Sequence, residues 1–229
     1  MQRVACRYRK GVRAGTLSHG DVRAILLAAM QTAKLPISES RRGVLLGPPL
    51  PPSATSDDER VVLELTEPYE PSEVRERLSR CLPPGLEIEQ VWIVLPGRAD
   101  ESPAALDEAV YDLLWSPAPE ATDLAARLQD FLRESEVPFT RIREKKVQRL
   151  NVRALVSAVQ VRESEPGLVF LRLTLSMGPQ GSIRPDEVLQ ALGYTPSPDT
   201  LIIHRIAVQQ SAWRHPAGSS RTARWRRTA

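Results

Sequence analysis

The sequence is poor in the residues that hold metals and redox groups. Two cysteines, Cys6 and Cys81, and three histidines, His19, His204 and His215, are scattered over 229 residues. No Cys-x-x-Cys or His-x-x-x-His spacing occurs, so the chain lacks the ligands for a zinc cage or a cysteine-held iron–sulfur cluster. No metal and no cofactor are expected. Both cysteines read as small buried hydrophobes in a reducing compartment. The 12 glycines form neither Gly-x-Gly-x-x-Gly nor a Walker loop, which disfavours cofactors cradled by those loops. No run of about 18 apolar residues is present, so no membrane-spanning helix is expected. The first thirteen positions hold five basic residues and no apolar leader, and the expected compartment is the cytoplasm.

Charge is abundant but uneven. The net charge of +3 conceals opposed blocks. Residues 1–42 carry nine Lys/Arg against two Asp/Glu, residues 43–136 seven against twenty, and residues 137–153 six against one. Residues 154–212 carry four against five, and residues 213–229 five against none. Such blocks indicate a basic face suited to an anionic partner.

Apolar periodicity and turn signals outline the elements. Strand-like runs stand at residues 4–8, 44–47, 61–65 and 86–95, and helices at 19–33 and from Pro71 to Cys81. Residues 53–59 read as a polar loop. Residues 96–103, rich in Pro, Gly and acid, suggest a linker. Beyond it, residues 106–115 suit a strand, although 104–114 can equally be drawn as a helix. An amphipathic helix follows at 121–134, then extended segments at 139–145 and 152–161 and a strand at 168–175. Pro185 opens a helix closed by Gly193, and a strand begins at Leu201. The order β-α-β-β-α-β thus occurs twice, and the fold expected is α+β, two tandem ferredoxin-like sandwiches over residues 1–97 and 104–210 with a flexible basic tail at 211–229.

Two kinds of candidate site emerge. Ser18-His19-Gly20-Asp21 could supply nucleophilic or acid–base chemistry through His19 and Asp21, or serve as a helix cap whose Asp21 complements the dipole. The basic segments are the second kind. Arg7, Arg9, Lys10 and Arg13 flank the first strand and turn, and Arg143, Lys145, Lys146 and Arg153 follow in the second basic block. Arg141, Arg143 and Lys145, two apart in an extended segment, share a face and could track phosphates. The same pattern suits an edge strand that uses positive charge against sheet-to-sheet association. The tail interleaves Trp213 and Trp225 with arginines, able to stack on bases or only to solubilise the chain.

Several segments together resemble the radical SAM-linked proteins, a bacterial family found beside or fused to radical SAM proteins. They are Arg7-Tyr8-Arg9-Lys10-Gly11, Leu17-Ser18-His19-Gly20-Asp21 with Arg23, and Ala33-Lys34-Leu35-Pro36-Ile37-Ser38. Glu64-Leu65, Leu82-Pro83-Pro84-Gly85-Leu86, Arg143-Glu144-Lys145-Lys146 and Leu150-Asn151-Val152-Arg153 follow, then Ile183-Arg184-Pro185-Asp186-Glu187-Val188-Leu189 and Ile203-His204-Arg205. Gly20 stands where the family usually has Leu, Asn151 where it has Asp, and the family's histidine-containing run after Ser38 is missing. The resemblance implies a non-catalytic accessory protein that presents RNA, or an RNA-containing substrate, to a radical SAM partner. The alternatives are an RNA-processing hydrolase using His19 and Asp21, or a protein-only scaffold.

Overall fold

The computed structural model describes residues 1–38, 43–95, 103–143, 146–165, 167–178 and 181–210. The first strand, β1 (Gln2–Lys10), turns Val4, Cys6, Tyr8 and Lys10 to one buried face. Helix α1 (His19–Thr32) begins at Ser18. Ser18 Oγ accepts from the Asp21 amide at 3.1 Å, and Asp21 Oδ2 accepts from the Ser18 amide at 2.8 Å. This reciprocal cap satisfies otherwise orphaned donors and is worth about 1 kcal/mol. Strands β2 (Val44–Leu46) and β3 (Thr55–Leu65), helix α2 (Pro71–Cys81) and strand β4 (Leu86–Ile93) complete the first half. The turn into β4 needs Gly85: its φ is +98°, and a Cβ there would lie 2.8 Å from the Ala14 amide nitrogen.

The second half runs β5 (Glu108–Trp115), α3 (Ala121–Arg133), β6 (Pro138–Arg143), β7 (Lys146–Asn151), β8 (Val156–Glu165), β9 (Leu168–Gly178), β10 (Gly181–Ser182), α4 (Pro185–Ala191) and β11 (Leu201–Gln209). The segment that fits both a strand and a helix in sequence is β5. It is buried at every second residue and paired on both sides, with β9 and β11, so the period of two prevails.

Nine strands form one sheet. The first half contributes β2-β3-β1-β4 and the second β8-β9-β5-β11, with β10 beyond β9. They join through a short parallel pairing, His204 with Thr55 and Arg205 with Ser56. The fold is therefore a mixed α/β fold with a large, mostly antiparallel sheet and, among the described residues, four helices. Strands β6 and β7 stand apart as a two-stranded ribbon.

The seam forms where a loop was expected. Thr55–Glu59 is the start of β3, because its acidic side chains find partners across the seam that a local reading does not see. Two apolar clusters lie on either side. One joins Cys6, Tyr8, Leu63 and Leu65 to Leu26 and Met30 of α1 and to Val74 and Leu78 of α2. The other joins Tyr111, Leu113 and Leu173 to Leu124 and Leu128 of α3 and to Val188 and Leu189 of α4. Glu59, on the face of Val61 and Leu63, meets Arg205, on the face of Leu201, so the two helix-bearing faces are continuous. The opposite face of the sheet carries no helix among the described residues. Cys6 is a free thiol in the first core, and burial pushes it up to about 12. No helix among the described residues is long and apolar enough to cross a membrane.

Candidate nucleic-acid interface

The arginines and lysine of β1 fall on opposite faces. Lys10 is 4% exposed, and its Nζ donates to the carbonyls of Gly15 at 3.0 Å and Leu17 at 2.8 Å. Desolvation lowers its pKa, with Glu59 working against this and Arg205 with it. Lys10 therefore holds the turn before α1 and does not contribute to a phosphate-binding surface, a correction to the sequence reading. The cause is strand alternation: residues 4, 6, 8 and 10 point inward. Arg7 and Arg9 point to the helix-free face, where acids meet them. Arg7 Nη2 donates to Glu89 at 3.0 Å, and Arg9 Nε donates to Asp57 at 3.0 Å. Arg13 is exposed in the turn Val12–Ala14.

In the second basic block Arg153 is also engaged by the fold. It donates to the carbonyls of Val156 at 3.1 Å and Leu132 at 3.4 Å, and its guanidinium lies 6.0 Å from the Phe131 ring centre. Arg141 Nη1 donates to the Ser182 carbonyl at 3.0 Å and to Glu187 of α4 at 3.2 Å, tying the middle of the ribbon to the second half of the sheet. Its side chain is thus unavailable for the phosphate-tracking face expected with Arg143 and Lys145. Arg143 and Lys146 are cross-strand partners at the ribbon's free end. Lys145, like the tail at 211–229 and residues 96–102 of the expected linker at 96–103, lies outside the described residues.

His19 and Asp21 are not brought together as a dyad. Asp21 is held by the Ser18 cap, whose hydrogen bonds lower its carboxyl below the usual range. Desolvation lowers the His19 imidazole, with Glu59 opposing this and Arg205 reinforcing it. No group of three or more metal-ligating side chains occurs among the described residues.

The structure assembles a polar seam that the sequence does not announce. Arg205 is 0% exposed, with Nη2 donating to both carboxylate oxygens of Glu59, Nε to Oε1 at 2.8 Å, and Nη2 also to the Pro48 carbonyl at 3.1 Å. On the other face, His204 Nε2 lies 2.9 Å from Asp57 Oδ2 and Nδ1 lies 2.7 Å from Thr55 Oγ1. Asp58 accepts from Arg60 Nε at 2.6 Å and from the Val208 amide at 3.1 Å. The sequence separations are about 150 residues, so only the three-dimensional pairing reveals the network. The one local signal was the unusual run Asp57-Asp58-Glu59-Arg60 beside a strand of apolar residues.

Three irregularities converge on the helix-free face. Strand β4 bulges at Glu89, between the pairs Arg7 with Gln90 and Tyr8 with Ile88. Strand β3 bulges at Asp57 and Asp58, opposite Arg9. Strand β11 bulges at Ile206, between Arg205 and Ala207. Arg7, Arg9, Asp57, Asp58, Glu89, Ile206 and Ala207 line an open depression of about 420 Å³ at this place. Bulges re-aim side chains, and here one turns Asp57 outward to His204 and Arg9 while Ser56 stays in the core.

The β6–β7 ribbon is built differently. Phe139 and Leu150 pack against the second core, while the opposite face presents Thr140, Ile142, Val147 and Arg149 to solvent. Ile142 is 73% and Val147 64% exposed, and they are cross-strand partners. Among the described residues Arg149 makes no ion pair.

A family model described as an uncharacterised protein conserved in bacteria (DUF2344) matches residues 3–185, and the chain belongs to that family. No curated protein matches it. Among solved structures it is similar to a chain of a Cbf5-Nop10-Gar1 complex, with 12% identity, a TM-score of 0.45 and coverage of 90% of this chain and 48% of that one. It is also similar to a chain of an H/ACA RNP bound to a substrate RNA containing 2′-deoxyuridine, with 13% identity, a TM-score of 0.46 and coverage of 90% and 47%. The chain thus spans about half the length of the solved chains it matches.

Proposed function

We propose that this member of an uncharacterised bacterial family is a non-catalytic accessory protein that binds RNA through the β6–β7 ribbon. The observation that carries this reading is exposed positive charge on the outer face of the ribbon, at Arg149. Arg7, Arg9 and Arg153 are tied to partners in the fold, Lys10 is buried and Arg13 is exposed in its turn, whereas Arg149 is exposed on the ribbon and makes no ion pair among the described residues, and Arg143 and Lys146 are paired positions at the ribbon's end. Lys145 adds to the same basic stretch in sequence. Arginine forks contact phosphate oxygens, and the exposed Ile142 and Val147 give sugars and bases an apolar surface to lie against. The resemblance to radical SAM-linked proteins supplies the partner, a radical SAM enzyme to which the RNA is presented. The hydrolase reading has less support, because the Asp21 carboxylate is engaged in a helix cap.

Each half is read as one ferredoxin-like unit, over residues 1–97 and 104–210. Supporting this, the core strands of each half follow the order fourth, first, third, second: β4-β1-β3-β2 and β11-β5-β9-β8. The test is an anisotropy titration with single-stranded RNA over a range of salt. The triple variant Arg143→Glu/Lys146→Glu/Arg149→Glu is expected to lose at least about tenfold in affinity and to flatten the salt slope, since fewer counterions are released. Arg172→Gln, a side chain paired with Asp112 at 2.6 Å, is expected to bind like the parent. Absence of RNA binding at low salt ends the RNA reading, and an unaffected triple variant ends the ribbon assignment.

A further inference from the structure

The depression on the helix-free face is chemically distinct from the ribbon. Its arginines are balanced by acids: Arg7 faces Glu89, Arg9 faces Asp57, and Asp58 is paired with Arg60 from the rim. A phosphate entering here would have to displace a carboxylate from its arginine, so the lining selects against a compact anion. It also retains hydrogen-bonding capacity. Arg7, about a third exposed, engages Glu89 through Nη2. The Glu89 and Asp57 oxygens have lone pairs left, because a carboxylate accepts several hydrogen bonds. Ile206 and Ala207 add an apolar wall at the β11 bulge.

A fitting ligand is uncharged, presents an acceptor oxygen beside N–H donors, and has a flat apolar body. Three bulges on three strands, β4, β3 and β11, shape this one place, although regular pairing would leave the face flat. We infer that the depression binds a guanine-type nucleobase, with O6 accepting from the Arg7 or Arg9 guanidinium and the N1–H and N2–H edge donating to Glu89 or Asp57. Arginine to O6 is a frequent base contact, and a carboxylate is the natural acceptor for adjacent ring and exocyclic N–H groups. The inference rests on the RNA reading only for the source of the base, a free nucleoside or an unpaired guanine in RNA.

The experiment follows the backbone amide signals of Ile206 and Ala207 in the full chain during titration with guanosine, cytidine and inorganic phosphate. Guanosine is expected to move both signals and to bind at least about tenfold more tightly than cytidine, whose edge has acceptors in place of the donor pair. Phosphate is expected to leave them in place. Glu89→Gln, a conservative change on an open face, is expected to weaken guanosine about tenfold by removing the charged acceptor. No movement with guanosine, equal affinity for cytidine, the same movement with phosphate, or an unaffected Glu89→Gln overturns the site. A uridine-rich single strand with one guanine separates the sources: movement of the same signals assigns the base to RNA, and stillness assigns it to free nucleoside. Loss of RNA binding in the ribbon triple variant with guanosine binding retained keeps the two sites distinct.

Discussion

The seam between the halves and the β6–β7 ribbon use the same side chain to opposite ends. At the seam Arg205 is enclosed, and Glu59 and a main-chain carbonyl engage its guanidinium. On the ribbon Arg149 stands in solvent beside Ile142 and Val147, and among the described residues it makes no ion pair. The contrast shows that charge blocks along a chain do not map onto charged surfaces. In the basic first block Arg7 and Arg9 are met by acids from the middle block, Asp57, Glu87 and Glu89, whereas Arg3, Arg13 and Arg23 stay exposed; in the second block Arg141 and Arg153 are tied into the fold and Arg149 is exposed on the ribbon. Energetically the two regions should respond to mutation in opposite ways: the seam in stability, the ribbon in binding.

The sharpest test of the seam removes one member of its buried pair. Glu59→Ala leaves Arg205 charged and enclosed, and breaking such a pair costs about 3–5 kcal/mol, because the remaining ion keeps its desolvation penalty. A urea unfolding series should show a lowered midpoint with an unchanged slope. The double variant Glu59→Leu/Arg205→Met should recover much of the loss, as apolar replacement removes both ions together. A loss below about 1 kcal/mol for Glu59→Ala, the range of an exposed pair, would erase the distinction between seam and surface.

What local pattern could reveal follows the same divide. The α1 cap was readable at Ser18 and Asp21, the α4 stop at Gly193 with its φ of +87°, and the alternating strands at Val61–Leu65 and Leu168–Leu175, because each depends on neighbours within a few residues. The Thr55–Glu59 stretch was not, since three adjacent acids resemble a loop until His204, Arg205 and the Val208 amide arrive from the far end of the chain. The single continuous sheet was hidden for the same reason, its halves meeting over two residue pairs. Of the candidate site, the residue type was readable and its exposure was not. Lys10 and Arg9 are adjacent, yet one faces the core and the other the open face.

A smaller effect on the open side of the seam is a pH dependence centred on Asp57. Desolvation pulls this carboxyl upward, but hydrogen bonds and charge from His204 and then Arg9 outweigh it and hold it below the usual carboxylate value. A lowered folded-state pKa contributes stability that is present above the unfolded value, near about 3.9, and is lost as pH falls through the folded one. Unfolding midpoints measured from neutral to acid pH should therefore fall less steeply in Asp57→Asn than in the parent. Solvent screening of this half-exposed group keeps the difference well below the Glu59 effect. Identical profiles would mean that the His204–Asp57–Arg9 chain does not couple the halves.

The ribbon supplies the opposite limit. Ile142→Ser/Val147→Ser removes an apolar pair that is already mostly in water, so little transfer free energy is lost and stability should change by no more than about 0.5 kcal/mol. Phe139 and Leu150, on the other face of the same two strands, pack on the second core, and Phe139→Ala should cost measurably more. If the serine pair destabilised the protein as much as Phe139→Ala, the outer face of the ribbon would belong to the fold. If the pair left stability intact but weakened RNA binding, an apolar contact that the fold does not need would be assigned to the ligand.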